Sequence, residues 1–221
     1  MRKILAIVLA RGGSKRIPGK NLMPLGEKPL ISWTIDFARG IEEIHDVLVS
    51  TDSAAIADVA RERGGLVPWL RPHTLSDDDA KSESGILHAL NWFESQYYPV
   101  VGVILLQPTS PFRKQETFHR ALKLFESNPN SAIVTVARPQ PTLMEQESEE
   151  FDFSSEKQSV DVRPNGNLYL FSPKYIRENE SILKGHVISL PSISLVEDID
   201  IDTPEDLEVA RMIQRQDPDL G

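Results

Sequence analysis

Four basic side chains and three glycines share one loop, directly after an apolar run at the start of the chain. In LARGGSKRIPGKN, residues 9–21, the basic residues are Arg11, Lys15, Arg16 and Lys20, and the glycines stand at 12, 13 and 19. Charged side chains together with closely approaching backbone amides bind phosphate oxygens. The pattern therefore predicts a triphosphate site; the alternative is a solvated basic loop with no ligand.

Two common phosphate motifs do not fit this loop. A Walker P-loop would need glycine at Ser14 and a hydroxyl residue at Asn21, and Pro18 removes an amide donor from the loop. The dinucleotide pattern G-x-G-x-x-G fails because Gly12 and Gly13 are adjacent. The loop is therefore a phosphate-binding candidate of another type.

A second candidate is the acidic stretch EDIDID near the end of the chain, within residues 197–208, which contain seven acids and no base. On a strand, Asp198, Asp200 and Asp202 would share one face, with neighbours ~6.6 Å apart. Two such carboxylates can converge on one Mg²⁺ at ~2.1 Å from each oxygen. We expect a magnesium site here; the alternative is an ordinary alternating edge strand.

A third candidate is Gln107 in LLQPTSPFR, residues 105–113. It follows directly after an apolar strand pattern and precedes two prolines, so a rigid turn would hold its amide over a binding crevice. Turn chemistry alone explains the prolines and Ser110 equally well.

Composition excludes several classes of function. The chain has 221 residues, 40% apolar and 26% charged, which suits one large α/β domain. The absence of cysteine excludes disulfides, thiolate metal sites and a cysteine nucleophile, and the net charge of −9 argues against nucleic acid as partner. No apolar run approaches the ~20 residues of a membrane span, and no signal peptide is recognisable, so we expect a cytoplasmic protein.

Strand and helix patterns alternate through the first 137 residues. Strands are predicted at 3–9, 46–51, 66–70, 100–106 and 131–137, and helices at 29–40, 53–65, 81–97 and 114–128. This order predicts a doubly wound, Rossmann-like α/β fold with a mostly parallel sheet, whose ligands bind beyond the carboxyl ends of the strands. The loops at 9–24, 50–53, 70–81 and 107–113 should line one crevice.

The alternation stops at an acid-rich, proline-bearing stretch. We expect residues 138–165 to leave the sheet. Strand patterns resume at 167–171, 186–190 and 192–202, and a last helix is predicted from Pro204 to about Arg215, with Thr203 as its N-cap and Asp206 as an imperfect capping-box partner.

These stretches together resemble the CMP-sialic acid synthetases, also called acylneuraminate cytidylyltransferases, and their relatives that activate legionaminic or pseudaminic acid. The resemblance covers nearly the whole chain. It rests on LARGGSKRIPGKN, VSTD (49–52), RPHTLSDDDAKS (71–82), LLQPTSPFR, RPNGNLYLF (163–171) and IDIDTPEDL (199–207).

The resemblance implies an activity and an assembly. Members transfer CMP from CTP to the anomeric hydroxyl of a nonulosonic acid, an acidic nine-carbon sugar, and release pyrophosphate. The implied fold is a three-layer, GT-A-like nucleotidyltransferase forming a single domain over 1–221. Members are usually homodimers in which a protruding segment, here 138–165, reaches the partner's site.

The resemblance also assigns roles to residues of this chain. The nucleotide would contact Leu9, Ala10, Arg11, Gly12, Lys15, Lys20, Asn21, Arg71, Ala80 and Ser82, the last three forming a cytosine pocket. Gln107, Arg163 and Asn165 would contact the sugar, and Asp200 and Asp202 would hold Mg²⁺. Arg11, Lys20 and Asp202 would be catalytic.

Two departures from the family pattern affect the substrate assignment. Many members have a lysine at a position corresponding to 139–144, where this chain has none, so Arg138 or Arg163 would meet the sugar's carboxylate, or the sugar differs. Arg16 stands where glycine is common. A GT-A-like glycosyltransferase, a cytidylyltransferase for an eight-carbon acid and a non-catalytic nucleotide-binding subunit are the alternatives.

Overall fold

A six-stranded sheet with helices on both faces forms the body of the protein. The structure, a computed structural model, describes residues 3–77, 80–138 and 163–217. The strands are β1 (Ile4–Leu9), β2 (Pro24–Leu25), β3 (Lys28–Pro29), β4 (Ile44–Ser50), β5 (Gly102–Leu105), β6 (Ala132–Val136), β7 (Pro164–Phe171) and β8 (Val187–Pro191). The helices are α1 (Leu30–Arg39), α2 (Ala54–Glu62), α3 (Ser82–Gln96), α4 (Gln115–Ser127), α5 (Pro173–Asn179) and α6 (Pro204–Gln216).

The sheet is mostly parallel, as predicted. Its order is β4-β1-β5-β7-β6-β8; β1 runs parallel to β4 and β5, and β6 runs parallel to β8. Only β7 among these strands is antiparallel to its neighbours β5 and β6. The carboxyl ends of β1 and β5 therefore lie side by side, which brings the basic loop next to the turn that begins at Gln107.

Alternate residues of each strand pack into two apolar cores, one on each face of the sheet. Ile4, Ala6 and Val8 of β1 pack into one core, while Leu5 and Ile7 pack into the other. Because both faces are covered, the strand is apolar throughout, as parallel sheets require.

A third, smaller apolar cluster lies outside the sheet and connects the loops of interest. It contains Ile17, Leu25, Leu30, Trp33, Phe112, Ile201, Leu207 and Ala210. Ile17 belongs to the basic loop, Phe112 to the turn after β5, and Ile201 to the acidic stretch, so the burial of three apolar side chains holds these segments together.

The prediction of a strand over 192–202 is wrong. Residues Leu195–Asp198 form a 3-10 helix whose capping box joins Ser194 and Glu197. The buried Glu197 carboxylate accepts hydrogen bonds from the backbone amides of Ile193, Ser194 and Lys114. The bonds from Ile193 and Ser194 are local and satisfy amides that a sheet ladder would otherwise use, and the bond from Lys114 ties this segment to a distant part of the chain.

The predicted edge strand at 66–70 is also not formed as a strand. Its contacts with β4 are two isolated bridges, Leu48 with Leu66 and Thr51 with Leu70. Pro68 cannot donate a ladder hydrogen bond, which accounts for the interruption. The short β2–β3 hairpin and α5 were not predicted.

The protruding segment predicted at 138–165 lies, apart from its ends, outside the described residues. In the described part of the chain, no helix is both long and apolar enough to cross a membrane.

The predicted N-cap of α6 is confirmed and supports the acidic stretch. The Thr203 hydroxyl oxygen accepts a bond from the Asp206 amide, and the Asp206 carboxylate accepts bonds from the amides of Thr203, at 2.7 Å, and Asp202, at 3.0 Å. Burial acts to raise the pKa of Asp206, but these hydrogen bonds outweigh it and lower the pKa. The cap thereby fixes the backbone at Asp202.

Replacing the cap should destabilise the protein measurably. We expect Thr203→Ala to lower the free energy of unfolding by about 1 kcal/mol, because one helix amide loses its side-chain acceptor. Urea denaturation followed by circular dichroism measures this. Thr203→Ser retains the hydroxyl and should lose much less; equal losses in the two variants would contradict the role of the hydroxyl.

Candidate active site

The basic loop after β1 is folded by its own side chains and by the neighbouring strand. The Asn21 amide donates to the Arg11 carbonyl at 2.9 Å, and the Gly12 amide donates to the Asp52 carboxylate at 2.7 Å. Gly19 adopts φ of 67°, a left-handed conformation that favours glycine. Gly12, predicted to contact the nucleotide, thus uses its amide within the protein, and the Asn21 side chain is largely buried.

The loop forms one wall of a cleft of 510 Å³, here called the main cleft. Its lining brings together the basic loop, the start of α3, the turn after β5 and the acidic stretch. The lining residues are Leu9, Arg11, Ser14, Lys15, Arg16, Ile17, Lys20, Asn21, Ser82, Leu105, Leu106, Gln107, Pro108, Thr109, Asp200 and Asp202.

Lys20 connects the two oppositely charged walls of the main cleft. Its ammonium donates to the Ile201 carbonyl at 2.7 Å and to the Asp202 carboxylate at 3.0 Å. The guanidinium of Arg16 lies 3.4 Å from the other oxygen of Asp202. Both carboxylate oxygens of Asp202 therefore face cations, and the Arg16 pair is the more exposed of the two.

Asp200 has the properties of a cation ligand. Its Oδ1 atom is buried and has no hydrogen-bond partner among the described residues. Burial raises the pKa of Asp200; Asp202 and Asp206 add to this, while a hydrogen bond from Thr109 and the charge of Lys20 oppose it. A buried carboxylate oxygen without a partner is unfavourable, and a bound cation would compensate it.

The donor set fits a cation that is shared with a ligand. Asp200 and Asp202 line the same cleft, and carboxylate oxygens suit Mg²⁺, which usually takes one or two protein carboxylates and completes its shell with water and phosphate. No group of three metal-binding side chains occurs within residues 3–77, 80–138 and 163–217. Two carboxylates on one wall and phosphates from a nucleotide would together provide the site.

Asp198, predicted to share a face with these two, lies elsewhere. Its carboxylate accepts bonds from the Asn165 amide at 2.8 Å, the Ser192 hydroxyl at 2.7 Å and the Arg138 backbone amide at 3.1 Å. The 3-10 helix turns Asp198 toward β7 and away from the main cleft.

A second opening of 330 Å³, the side cleft, adjoins the main cleft and shares Leu9, Arg11 and Ser82 with it. It is also lined by Arg71, Leu75, Ser76, Asp77, Ala80, Lys81 and Gly85. Arg71 is buried and donates to the Ser76 hydroxyl at 2.9 Å, and burial lowers its pKa. The side cleft combines a few apolar side chains with fixed polar groups, a combination suited to a planar base.

The turn after β5 brings Gln107 against the start of β7. Gly166 has φ of 75°, and a Cβ at this position would lie 2.5 Å from the Gln107 amide oxygen and 2.8 Å from the Ser110 hydroxyl. Only glycine allows β7 to approach the Gln107 side chain this closely.

Most of the predicted site residues line one of the two clefts, and a few do not. The side cleft is lined by Arg71 and Ala80, and the main cleft is lined by Leu9, Arg11, Lys15, Lys20, Asn21, Ser82, Gln107, Asp200 and Asp202. Ala10 is buried and is not among the lining residues of either cleft. Neither Arg163, which is exposed, nor Asn165, which is buried against Asp198, is among the lining residues.

Sequence reasoning missed three residues of this site. Asp52 fixes Gly12, Thr109 bonds to Asp200, and Gly166 accommodates Gln107. Asp52 and Gly166 lie in the stretches VSTD and RPNGNLYLF, so the motifs contained them, but their roles depend on contacts between distant segments.

Comparison with known proteins now decides the family. The cytidylyltransferase family model matches residues 5–217. The chain belongs to this family. It is 36% identical over 215 residues to CMP-N,N'-diacetyllegionaminic acid synthase of Legionella pneumophila, covering 92% of this chain and 93% of that protein.

Other relatives have related names. Pseudaminic acid cytidylyltransferase of Campylobacter jejuni is 31% identical, with 96% of this chain and 97% of that protein covered. N-acylneuraminate cytidylyltransferase of Escherichia coli is also 31% identical, but the match spans 97% of this chain and only 52% of that longer protein.

Solved structures confirm the fold class. CMP:2-keto-3-deoxy-manno-octonic acid synthetase complexed with CTP superposes with a TM-score of 0.71 at 15% identity, covering 97% of this chain and 99% of that chain. 4-Diphosphocytidyl-2C-methyl-D-erythritol synthase of Anaerococcus prevotii gives 0.65 at 17% identity, covering 97% and 96%.

Proposed function

We propose that the protein transfers CMP from CTP to the anomeric hydroxyl of a nonulosonic acid and releases pyrophosphate. One observation carries the proposal: the basic loop and the Asp200–Asp202 pair face each other across the main cleft, which continues into a base-sized side cleft. The family match and the names of the full-length relatives support this reaction over a glycosyltransferase.

The nucleotide would extend along both clefts. The triphosphate would lie against Arg11, Lys15, Arg16 and Lys20, whose side chains neutralise phosphate charge. The cytosine would occupy the side cleft, where Arg71, Ala80 and Ser82 lie. Arg11 and Ser82 line both clefts, so the α-phosphate and ribose would lie near the junction.

Asp200 and Asp202 would hold Mg²⁺. When bound, the ion would act as a Lewis acid toward phosphate oxygens and would orient the reacting groups. The buried, unpartnered Oδ1 atom of Asp200 supports this role.

The chain's own residues would contribute alignment and charge neutralisation. The anomeric oxygen attacks the α-phosphorus, and the bond to the departing pyrophosphate breaks with negative charge developing on the leaving oxygen. Lys20 and Arg11 would stabilise that charge. Gln107 would align the sugar, and holding the reacting atoms in a fixed geometry would accelerate the reaction further.

The sugar's carboxylate would meet Arg138 or Arg163, two basic residues that lie outside the lining of the main cleft. The two residues are exposed and lie on adjoining chain segments, because the Ala137 amide donates to the Arg163 carbonyl at 3.1 Å. A homodimer, which the family resemblance implies, and a cytoplasmic location, which the composition suggests, stay predictions.

The proposed reaction is tested by pyrophosphate release from CTP and Mg²⁺ with a panel of sialic, N,N'-diacetyllegionaminic and pseudaminic acids. We expect release with at least one sugar and the highest kcat/KM with the legionaminic acid, because identity to that synthase is 36% against 31% for the other two relatives. Mass spectrometry of the CMP-sugar identifies the product. Release with none of the three would overturn the substrate class, and CTP binding without turnover would indicate a non-catalytic subunit.

Lys20 should be essential for turnover. We expect Lys20→Ala to lower kcat/KM at least about 100-fold, since the leaving phosphates lose a fixed cation. Lys28→Ala is the matched control, because Lys28 is also a partly buried lysine in an ion pair, with Asp36 at 2.7 Å, but lies outside the main cleft. A Lys20→Ala enzyme as active as the control would contradict the phosphate role.

Arg16 should compete with a divalent cation for Asp202 before nucleotide binds. We expect Arg16→Ala to bind Mn²⁺ about two- to fivefold more tightly without nucleotide, because the free energy of an exposed ion pair corresponds to a factor of about this size. We also expect the variant to have a higher KM for CTP. Titration monitored by electron paramagnetic resonance measures the first quantity. Arg61→Ala breaks a comparably exposed pair, with Asp58, and should change neither; equal effects in the two variants would refute the competition.

A further inference from the structure

Arg113 is a buried cation behind the main cleft, and the mechanism above gives it no role. Its side chain is 2% exposed. It donates from Nε to the Asn167 carbonyl at 2.9 Å, from Nη1 to the Thr34 hydroxyl at 2.9 Å and from Nη2 to the Gln107 carbonyl at 2.5 Å. One planar guanidinium thus joins the turn, β7 and α1, and a lysine ammonium cannot reproduce this geometry.

Stability alone is a weak reason to bury this charge. Burial lowers the pKa of Arg113 to about 9, while the carboxylates of Asp200 and Glu197 act in the opposite direction. The group therefore remains charged at neutral pH inside the protein. Apolar side chains of similar volume often stabilise such a position as well or better, so geometry is the more specific explanation.

The turn that Arg113 holds contacts both β7 and the acidic stretch. On one side, Gln107 lies against Gly166, and the Ser110 hydroxyl donates to the Asn165 carbonyl at 3.2 Å. On the other side, the Thr109 carbonyl accepts the Ile201 amide at 2.8 Å, and the Thr109 side chain bonds to the Asp200 carboxylate. The turn therefore sets where the Gln107 amide lies relative to Asp200.

The side cleft depends on other elements. The Arg71 amide donates to the Thr51 carbonyl, its guanidinium bonds to Ser76, and Ser82 begins α3. Neither Gln107 nor its turn lines the side cleft. A displacement of the turn would therefore weaken sugar binding more than it weakens binding of the cytosine.

We propose that Arg113 is a positioning residue for the sugar acceptor: its three hydrogen bonds tie the 107–110 turn to β7 and α1, and thereby hold Gln107 at the correct distance from Asp200. The inference rests on the proposed function. It separates acceptor positioning, through Arg113, from nucleotide binding, through the basic loop and Arg71.

The test compares Arg113→Met and Arg113→Lys with the wild-type enzyme in two measurements: the KM of the sugar at saturating CTP, and the Kd of CTP by calorimetry without sugar. The calorimetry omits divalent cation, because the turn also contacts the proposed metal ligand Asp200. We expect Arg113→Met to raise the sugar KM at least tenfold and to leave the CTP Kd within about twofold. Arg113→Lys should keep most of this defect, because it retains the charge but not the three-way geometry.

A milder pair of variants keeps the test decisive if Arg113→Met fails to fold. Thr34→Val removes one acceptor at a buried site and should raise the sugar KM several-fold with an unchanged CTP Kd. Thr117→Val is the matched control, since Thr117 is equally buried, its hydroxyl has no hydrogen-bond partner among the described residues, and it lies outside the turn.

The outcomes separate this inference from the proposed function. An active wild-type enzyme whose sugar KM is unchanged in Arg113→Met and Thr34→Val would overturn the positioning role. Equal losses in sugar KM and CTP Kd would overturn it too, because they indicate a general structural role. A wild-type protein inactive with every sugar would remove the proposed function and this inference with it.

Discussion

The contact between the Lys20 ammonium and the Ile201–Asp202 segment is the interaction on which the site depends. It joins residues 181 and 182 positions apart, at 2.7 Å to the Ile201 carbonyl and 3.0 Å to the Asp202 carboxylate. The lysine side chain is 13% exposed, so solvent screens this pair less than it screens a surface ion pair. Through it, a cationic wall and an anionic wall face one cleft. A ligand that carries both phosphates and a divalent cation would neutralise the charges of both walls.

Apolar packing supplies the rigidity that charge alone does not. Ile17, Phe112 and Ile201 meet in the third cluster, one from each wall-forming segment. Ile201 alternates with Asp200 and Asp202, so its burial leaves the two carboxylates on the cleft side. The Asp206 cap then holds the amides at 202 and 203. The binding residues thus lie on loops, and the apolar cluster that positions them is formed in part by side chains of the same loops.

The sequence was informative wherever the residues of one segment determine the structure of that segment. Apolar periodicity predicted the sheet and its helices, and the spacing of glycines and basic residues predicted the loop after β1. Prediction failed where contacts with residues far away in the sequence determine the local structure. The Glu197 carboxylate captures amides near it and that of Lys114, which replaces the predicted strand by a 3-10 helix, and Asn165 turns to Asp198 instead of the cleft. The importance of Gly166 and Arg113 could not be seen without knowing that β7 lies beside β5.

A crystal structure with CTP and Mn²⁺, using anomalous scattering to locate the metal, tests directly whether the two charged walls share one ligand. We expect an anomalous peak within coordination distance of both Asp200 and Asp202, with the triphosphate between that peak and Lys20 and the cytosine beside Arg71. A triphosphate bound away from the basic loop, or a metal that contacts neither aspartate, would contradict this expectation.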